Sequence, residues 1–281
     1  MKRGGKNIST HGFTVVETLI VLAVTSGLFV ITAVAINGRQ QKTEFQVGIR
    51  NLQQQFQQII TEAATGYYPV SSSFRCSLIG GGDNVRLQGG GSNEQGSNEA
   101  CTFVGKALVV GGPDHLDNYS VFSLAARRVL DDGVTEVRNP AEAMVTAIAP
   151  SSANGSSPDT QITKPIPNAL TFVSARPVGL GWASGEVAAS FLSGFANFEG
   201  SGEETGGSQR LELRGFANWS TGVSDADAID REAIPGPGRY PLFPNGVEYC
   251  FRSNGTNQSA IVTISSGLAV SYKIKAGITC T

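Results

Sequence analysis

The stretch that decides the architecture is residues 13–38, FTVVETLIVLAVTSGLFVITAVAING. From Thr18 to Gly38 it holds 21 residues and no charged side chain. As a helix, this span would be roughly 30 Å long, which is the thickness of a bilayer core. The leader before it, residues 1–12, carries three cations and no acid. A basic leader followed by an apolar span predicts a membrane helix whose N-terminus is cytoplasmic.

Three simpler interpretations of this stretch compete. It could be a Sec signal peptide cut after Ala35, because Ala33-Val34-Ala35 fits the small-x-small rule for cleavage. It could also be a plain N-terminal anchor, or a buried core helix, which the basic leader disfavours. Glu17 argues against all three, because an unpaired carboxylate at the head of an apolar run costs on the order of a few kcal/mol. Such a residue usually has a partner.

Residues 12–21, GFTVVETLIV, resemble the processing site and N-terminal helix of type IV pilins and type II secretion pseudopilins. The resemblance implies that a prepilin peptidase cuts after Gly12 and methylates the new N-terminal residue, Phe13. It also matches Glu17 to the glutamate at the fifth position of the mature chain. Many major pilins have a proline in the middle of this span, and this chain has none. Gly27 could loosen the helix instead, at roughly 1 kcal/mol relative to alanine.

The resemblance gives Glu17 a physical role in assembly. Cleavage at Gly12 leaves a charged amine on Phe13 in apolar surroundings, where each charge alone is expensive. When subunits stack helix on helix, Glu17 of one subunit can neutralise the amine of its neighbour. The pair also sets the axial register, as buried polar groups do in coiled coils. Glu17 is therefore the predicted assembly residue.

An amphipathic stripe continues beyond the apolar span. Apolar residues recur there at alternating spacings of four and three, the a/d pattern of a helix with one buried face. The stripe consists of Phe45, Ile49, Leu52, Phe56, Ile59 and Ala63. Gly66 is the C-cap candidate, and Pro69 follows it. The pattern predicts one helix from Phe13 to Ala64, packed on a globular domain, with a free coiled-coil stalk as the alternative.

The chain after Gly66 has the composition of a β-rich domain. Thr102–Val110 and Leu211–Arg214 have the patterns of strands, whereas residues 141–148 fit either a strand or a short helix. Loops are predicted for the Gly- and Ser-rich clusters and for two long polar stretches. These loop predictions cover residues 71–73, 80–82, 89–91, 150–167, 200–202 and 221–244.

The clearest strand signal is a hairpin over residues 259–275. Its turn is Ser265-Ser266-Gly267, and the residues on either side of the turn alternate between apolar and polar. Val270 lies on the predicted buried face, whereas Lys273 and Lys275 lie on the exposed face. The predicted hairpin is therefore half-buried, and its two lysines are candidate ligand-binding residues.

The four cysteines are Cys76, Cys101, Cys250 and Cys280, and all follow the apolar span. An extracytoplasmic location permits disulfides, and the absence of a CxxC pair disfavours zinc. Four cysteines allow three pairings. We favour Cys76–Cys101, which would close the glycine-rich loop, and Cys250–Cys280, which would tie the final hairpin to the preceding strand. Free buried thiols are the alternative.

Residues 247–280 resemble the C-terminal region of FimT/GspH-type minor pilins, in which a strand–turn–strand with glycine precedes a basic stretch. The DNA-binding members carry arginines directly after that glycine. Here Gly267 is followed by an apolar segment, and Lys273 and Lys275 are the basic residues nearby. DNA is therefore a candidate partner with weaker support than in those proteins.

Catalytic and metal chemistry are not expected. After cleavage, His115 is the remaining histidine, and no pattern places Asp114 or Asp117 beside it as more than turn acids. The aspartates at 225, 227 and 230 lack the spacing of a calcium-binding loop. The sequence therefore predicts no enzyme, no cofactor and no metal site.

The sequence as a whole predicts an α+β protein with a type IV pilin fold. A long N-terminal α-helix, with a membrane-spanning half and an amphipathic half, packs on an antiparallel β-sheet globular domain. The expected segments are a leader over 1–12, a helix over 13–65 with 18–38 in the membrane and 39–65 amphipathic, and an extracytoplasmic domain over 66–281. Loss of the leader changes the net charge from −2 to −5.

The expected function is that of a minor pilin or pseudopilin in a type IV pilus-like filament serving adhesion, motility, secretion or DNA uptake. Its predicted partners are other pilin subunits, prepilin peptidase, the inner-membrane assembly platform and the membrane. It would reside in the bacterial inner membrane before joining a surface pilus or periplasmic pseudopilus. A DNA-binding minor pilin and a Sec-exported soluble enzyme cut after Ala35 are the two alternatives.

Overall fold

The structure is a computed structural model. It describes residues 12, 14–66, 74–79, 84–89, 101–111, 117–127, 134–135, 137, 143, 145–147, 161–167, 170–179, 181–182, 186–193, 211–219, 243–277 and 280. The chain divides into two compact units, Met1–Glu44 and Phe45–Thr281. The helix from Phe45 onward, which carries the whole apolar stripe, therefore belongs to the same unit as the strands.

The helix α1 runs from Val15 to Ala64. No proline interrupts it, and it ends where Gly66 takes a positive φ of 65°. The amide of Gly66 donates to the carbonyl of Ala63 at 3.3 Å. Glycine adopts this left-handed conformation without the steric cost that a side chain brings. The predicted helix and its C-terminal glycine are both confirmed.

The amphipathic half of α1 buries the predicted stripe. Phe45, Ile49, Leu52 and Phe56 are fully buried, and Ile59 and Ala63 are exposed by only 2% and 3%. All six belong to one core cluster with residues of the strands. The second half of the helix therefore packs on a β domain, and the alternative of a free coiled-coil stalk is wrong.

Twelve strands follow the helix in the described ranges. They are β1 (Phe74–Ile79), β2 (Asn84–Gly89), β3 (Cys101–Val110), β4 (Asn118–Arg127), β5 (Thr146–Ala147), β6 (Gln161–Pro165), β7 (Leu170–Pro177), β8 (Glu186–Ser193), β9 (Leu211–Trp219), β10 (Val247–Ser253), β11 (Gln258–Ile264) and β12 (Val270–Ala276).

The strands form three antiparallel sheets. β1 and β2 pair with each other, and a second sheet has the order β12-β11-β10-β7. The third has the order β5-β4-β3-β8-β9, with β6 also paired to β4. The architecture is thus a mixed α/β arrangement with an N-terminal apolar helix and antiparallel sheets, which is compatible with the predicted fold.

The core is centred on Phe56 of α1. Its ring meets Tyr119 of β4 edge-on, with centroids 5.5 Å apart, and meets Tyr249 of β10 at 5.8 Å. Edge-to-face pairs of this kind add to the free energy of apolar burial. One helical side chain thereby contacts a strand from each of the two larger sheets.

Close packing directly before β10 requires a glycine at position 246. Gly246 has a φ of 99°, and a Cβ built there would lie 2.2 Å from the carbonyl oxygen of Ile264. A side chain cannot occupy that space unless the backbone moves. The pairing of β10 with β11 therefore requires glycine at this position.

Several strand predictions can be compared with these bounds. The strands at 102–110 and 211–214 are confirmed as β3 and β9, and the final hairpin is confirmed as β11 and β12. The prediction of a loop over 150–167 is wrong in part, because β6 pairs there with the edge of β4. The segment at 141–148 contains the short strand β5. Of the other predicted loops, the structure describes only Gly89, Phe243 and Pro244. Gly89 is the last residue of β2, so the predicted loop over 89–91 is wrong at its first position, whereas Phe243 and Pro244 lie outside the strands.

Candidate functional site: an apolar helical surface headed by Glu17

The first half of α1 presents an apolar surface around its whole circumference. Leu22 is 65% exposed and Phe29 is 73% exposed. By length and composition, Val15–Ala33 is a candidate membrane span, and a signal sequence would pass the same test. The other large exposed apolar side chains of this segment are Val15, Val16, Leu19, Ile20, Val21, Val24, Leu28, Val30, Ile31 and Ile36.

The hydroxyl groups within this segment are already satisfied by the helix itself. Each donates to a backbone carbonyl three or four residues earlier, which lets a polar side chain lie in apolar surroundings. The donors are Thr18, Thr25, Ser26 and Thr32, with shortest distances of 2.8, 2.8, 2.6 and 2.9 Å. The carboxylate of Glu17 is therefore the conspicuous charge on this surface.

Glu17 forms a capping box with Thr14. The amide of Thr14 donates to Oε2 of Glu17 at 3.0 Å, and the amide of Glu17 donates to Oγ1 of Thr14 at 3.3 Å. The Thr14 hydroxyl also donates to the same carboxylate oxygen at 3.1 Å. The pair satisfies two amides that the first helical turn leaves without helical partners. Glu17 therefore has a local structural role besides the predicted role in assembly.

This capping box is a feature that was not predicted from the sequence. Its signal was present, because Thr14-Val15-Val16-Glu17 is the T-x-x-E pattern that precedes an apolar run. Gly12 is exposed, and nothing lies within 4 Å of a Cβ built on it. Residues 1–11 of the leader and Phe13, the predicted first residue of the mature chain, lie outside the described residues, so the processing site remains a prediction.

A polar network joins the C-terminal part of α1 to the third sheet. Lys106 of β3 is 2% exposed, and its ammonium donates to Oε2 of Glu62. Gln58 donates to the other carboxylate oxygen at 2.8 Å. Two turns before Glu62, the hydroxyl of Tyr119 donates to Oε1 of Gln55 at 3.0 Å. The network fixes the position of the helix along the sheet, because a shift of one residue would break both contacts.

The environment of Glu62 changes its pKa. Burial raises the pKa, but the hydrogen bonds from Lys106 and Gln58 and the charges of Lys106 and Lys164 outweigh it, so the pKa is lowered. Burial raises the pKa of Tyr119, and the nearby charge of Glu62 raises it further. The network therefore holds a carboxylate, an ammonium and a neutral phenol.

The lowered pKa of Glu62 predicts a loss of stability in acid. Its contribution is fully present above the ordinary value of 4.5 and is lost as the pH falls through the lower folded-state pKa. We expect the melting temperature of the full chain in detergent to fall between about pH 5 and pH 3, and Glu62→Gln to flatten that decline. Glu44→Gln is the matched control, because Glu44 is exposed on α1. Equal profiles for Glu62→Gln and the parent would contradict the prediction.

Two glutamines of α1 bond directly to the backbone of β12. Nε2 of Gln53 donates to the carbonyl of Val270 at 2.7 Å, and Oε1 of Gln57 accepts from the amide of Val270 at 3.1 Å. Gln57 also donates to the carbonyl of Leu268 at 3.5 Å. The helix therefore covers the edge of the second sheet at the N-terminal end of β12.

The predicted disulfide Cys250–Cys280 is present, and it joins Cα atoms 6.1 Å apart. Both residues are buried, and the carbonyl of Cys280 accepts a hydrogen bond from Ser174 at 2.8 Å. Cys76 and Cys101 lie in β1 and β3, and their side chains are outside the described part of the structure. The predicted pairing of these two cysteines therefore stays a prediction.

Removing the disulfide is expected to cost about 3–4 kcal/mol of unfolding free energy, because the closed loop spans 30 residues. Cys250→Ala, Cys280→Ala and the double variant should lose the same amount, since either change breaks the same bond. Denaturant unfolding of the full chain in detergent measures this. A double variant that loses the sum of the two single effects would contradict the prediction.

The two candidate lysines are exposed side chains on a face of the second sheet whose central residues, Cys250 and Ser259, are buried. Lys273 and Lys275 are exposed, and Lys275 pairs across the ladder with Ser259, which pairs in turn with Arg252. Arg252 is also exposed, and it lies two strands from Lys275, or about 10 Å. The strand register therefore places Arg252 on the same face as the two lysines. This third cation was not predicted from the sequence, because residue spacing alone does not show which strands pair.

These observations define a mixed α/β protein with an N-terminal apolar helix, antiparallel sheets and one assigned disulfide. Among the described residues, no group of three or more His, Cys, Asp or Glu side chains could hold a metal ion. No family model, curated protein or solved structure matches the chain.

Proposed function

We propose that the chain is a structural subunit, a minor pilin or pseudopilin, of a type IV pilus-like filament. In this proposal a prepilin peptidase cleaves after Gly12 and methylates Phe13, and α1 then packs against the same helix of neighbouring subunits. The observation that carries the proposal is the apolar surface of α1, which is exposed on all sides and carries Glu17 at its head.

Exposing that apolar surface to water is energetically costly. Its twelve large apolar side chains are each more than half exposed, and burying one such side chain is worth about 1.5–3 kcal/mol. Lipid or other helices must therefore cover the segment. A lipid anchor needs no carboxylate, whereas a bundle of helices can pair Glu17 with the cationic N-terminus of a neighbour.

The location of the subunit and its partners follow from the same proposal. The subunit waits in the bacterial inner membrane with its N-terminus cytoplasmic, as the basic leader favours. The assembly platform then moves it from lipid into a filament at the cell surface or in the periplasm. Other pilin subunits replace the lipid around α1, so the same apolar surface serves both states.

The N-terminus of the mature chain tests the proposal. Mass spectrometry of the full chain, purified from a host that has a prepilin peptidase, should identify N-methylated Phe13 as the first residue. Gly12→Val should keep the leader, while Gly27→Val should be processed normally and serves as the matched glycine control. A mature N-terminus at Ile36 would show Sec processing, and a retained leader in the parent chain would also overturn the proposal.

A second candidate function is DNA binding by the same subunit. Arg252, Lys273 and Lys275 are exposed on the same face of the second sheet, around the buried residues Cys250 and Ser259, and exposed cations can neutralise DNA phosphates. The full chain in detergent should then retain DNA at low salt and release it as salt rises. Changing the three cations to alanine should abolish retention, whereas Lys42→Ala on α1 should not. Absence of retention at low salt would exclude this function.

A further inference from the structure

The strand β12 is the outermost strand of the second sheet, and its outward backbone groups can be assigned from the register. It pairs with β11 without a bulge. The amide and carbonyl of Val270 both bond to α1, so they point away from β11. Because backbone groups alternate along an antiparallel strand, those of Tyr272 and Ile274 also point outward.

The contact at Val270 shows which hydrogen-bonding groups fit this strand edge. The side-chain amides of Gln53 and Gln57 supply one donor and one acceptor, the same pair of groups that a neighbouring strand would present. At Val270, these two side-chain amides therefore take the place of the backbone of a neighbouring strand. Beyond it, among the described residues, the outward groups of Tyr272 and Ile274 have no hydrogen-bond partner.

The side chains along β12 specify what an added strand would carry. Tyr272 and Ile274 are partly buried and pack against the core cluster, so residues beside them would be apolar. Lys273 and Lys275 are exposed on the opposite face. Opposite charges across an antiparallel pair are favourable and like charges are not. A second copy of β12 would place lysine against lysine, which disfavours self-pairing.

We propose that the edge of β12 binds an extended segment of a partner protein, in which acidic and apolar residues alternate, by addition of that segment as a strand. The backbone of the segment bonds to Tyr272 and Ile274. Its acidic side chains face Lys273 and Lys275, and its apolar side chains extend the face that α1 covers. This surface is distinct from the apolar half of α1, so the proposal goes beyond the role in filament assembly.

A synthetic peptide of alternating Glu and Val, labelled with a fluorophore, tests the proposal by anisotropy against the full chain in detergent. We expect saturable binding. The same peptide N-methylated at its valine amides, which would lie opposite Tyr272 and Ile274, keeps every side chain but loses the backbone donors to this edge. It should bind about tenfold more weakly or worse, since each lost hydrogen bond is worth roughly 1 kcal/mol. Equal binding of the two peptides would overturn the proposal.

Variants of β12 test the same contact from the protein side. Ile274→Pro removes an outward donor without removing a bond to β11, and proline is tolerated at such edge positions. It should abolish binding, whereas Ile274→Val should not. Circular dichroism and the melting temperature establish that the proline variant is folded.

A charge reversal keeps the proposal testable even if the proline variant fails to fold. The double change Lys273→Glu and Lys275→Glu should lose the Glu–Val peptide and gain a Lys–Val peptide of the same length. Unchanged preference would overturn the acidic assignment. Self-association that Ile274→Pro abolishes, with no binding of either peptide, would show that the occupant is a second copy and would also overturn it.

Discussion

Replacing Glu17 with alanine is expected to leave the chain in the membrane but to prevent its incorporation into filaments. The apolar surface of α1 is unchanged by this substitution, so lipid still covers it. In the proposed filament, what is lost is the partner for the cationic N-terminus of the neighbouring subunit. Leaving one member of a buried charge pair alone costs about 3–5 kcal/mol, which corresponds to a loss of about a hundredfold or more in assembly. The measurement is the ratio of filament-bound to membrane-bound chain.

Thr14→Val is the control that separates the two roles of Glu17. It removes the Thr14 hydroxyl, which accepts from the Glu17 amide and donates to the Glu17 carboxylate, but it keeps the carboxylate and its bond from the Thr14 amide. Loss of an N-cap costs about 1 kcal/mol, so assembly should fall much less than in Glu17→Ala. If the two variants assemble equally poorly, the cap and not the charge pair explains the effect. Normal incorporation of Glu17→Ala would contradict the assembly role outright.

Gly246→Ala is expected to be the most destabilising single change in the β domain. Alanine at a φ of 99° is strained by about 1–3 kcal/mol. Its Cβ would also lie 2.2 Å from the carbonyl oxygen of Ile264, so β10 and β11 must separate at that point. The combined loss should exceed about 4 kcal/mol, a size that few point mutations reach. Denaturant unfolding of the full chain in detergent measures it.

Gly179→Ala is the matched control for this prediction. Gly179 has nearly the same φ, 97°, but nothing lies within 4 Å of a Cβ built there. It should therefore show the conformational strain without the steric overlap. The difference between the two variants isolates the overlap with Ile264, and we expect Gly246→Ala to be worse by about 2 kcal/mol or more. Equal losses would show that the backbone at Gly246 yields easily.

Sequence periodicity predicted those parts of the fold that depend on one local pattern. The stripe from Phe45 to Ala63 follows from helical spacing, and the alternation around Lys273 and Lys275 follows from the two-residue period of a strand. Gly66 was predictable as the helix C-cap because it follows the end of the apolar stripe in the sequence. In each case the residues that determine the structure lie next to one another in the chain, so no knowledge of a distant partner was needed.

The missed features depend on partners that are distant in the chain. β6 is short, polar and ends in a proline, and it forms because the edge of β4 offers hydrogen bonds. The ion pair between Lys106 and Glu62 joins residues 44 apart, and neither residue type signals its partner. Arg252 joins the two lysines only through the register of β10 with β11. The capping box of Glu17 is the exception, because its two residues lie three apart and the T-x-x-E pattern is local.

The bonds from Gln53 and Gln57 to β12 also bear on the order in which the domain is made. Gln53 and Val270 are 217 residues apart. At about 5–20 residues per second, β12 leaves the ribosome roughly 10–40 s after the helix that it must contact. Throughout that interval the apolar stripe of α1 has no complete sheet to cover it. A nascent chain with this layout needs a holding factor, or a membrane surface, until its last strands arrive.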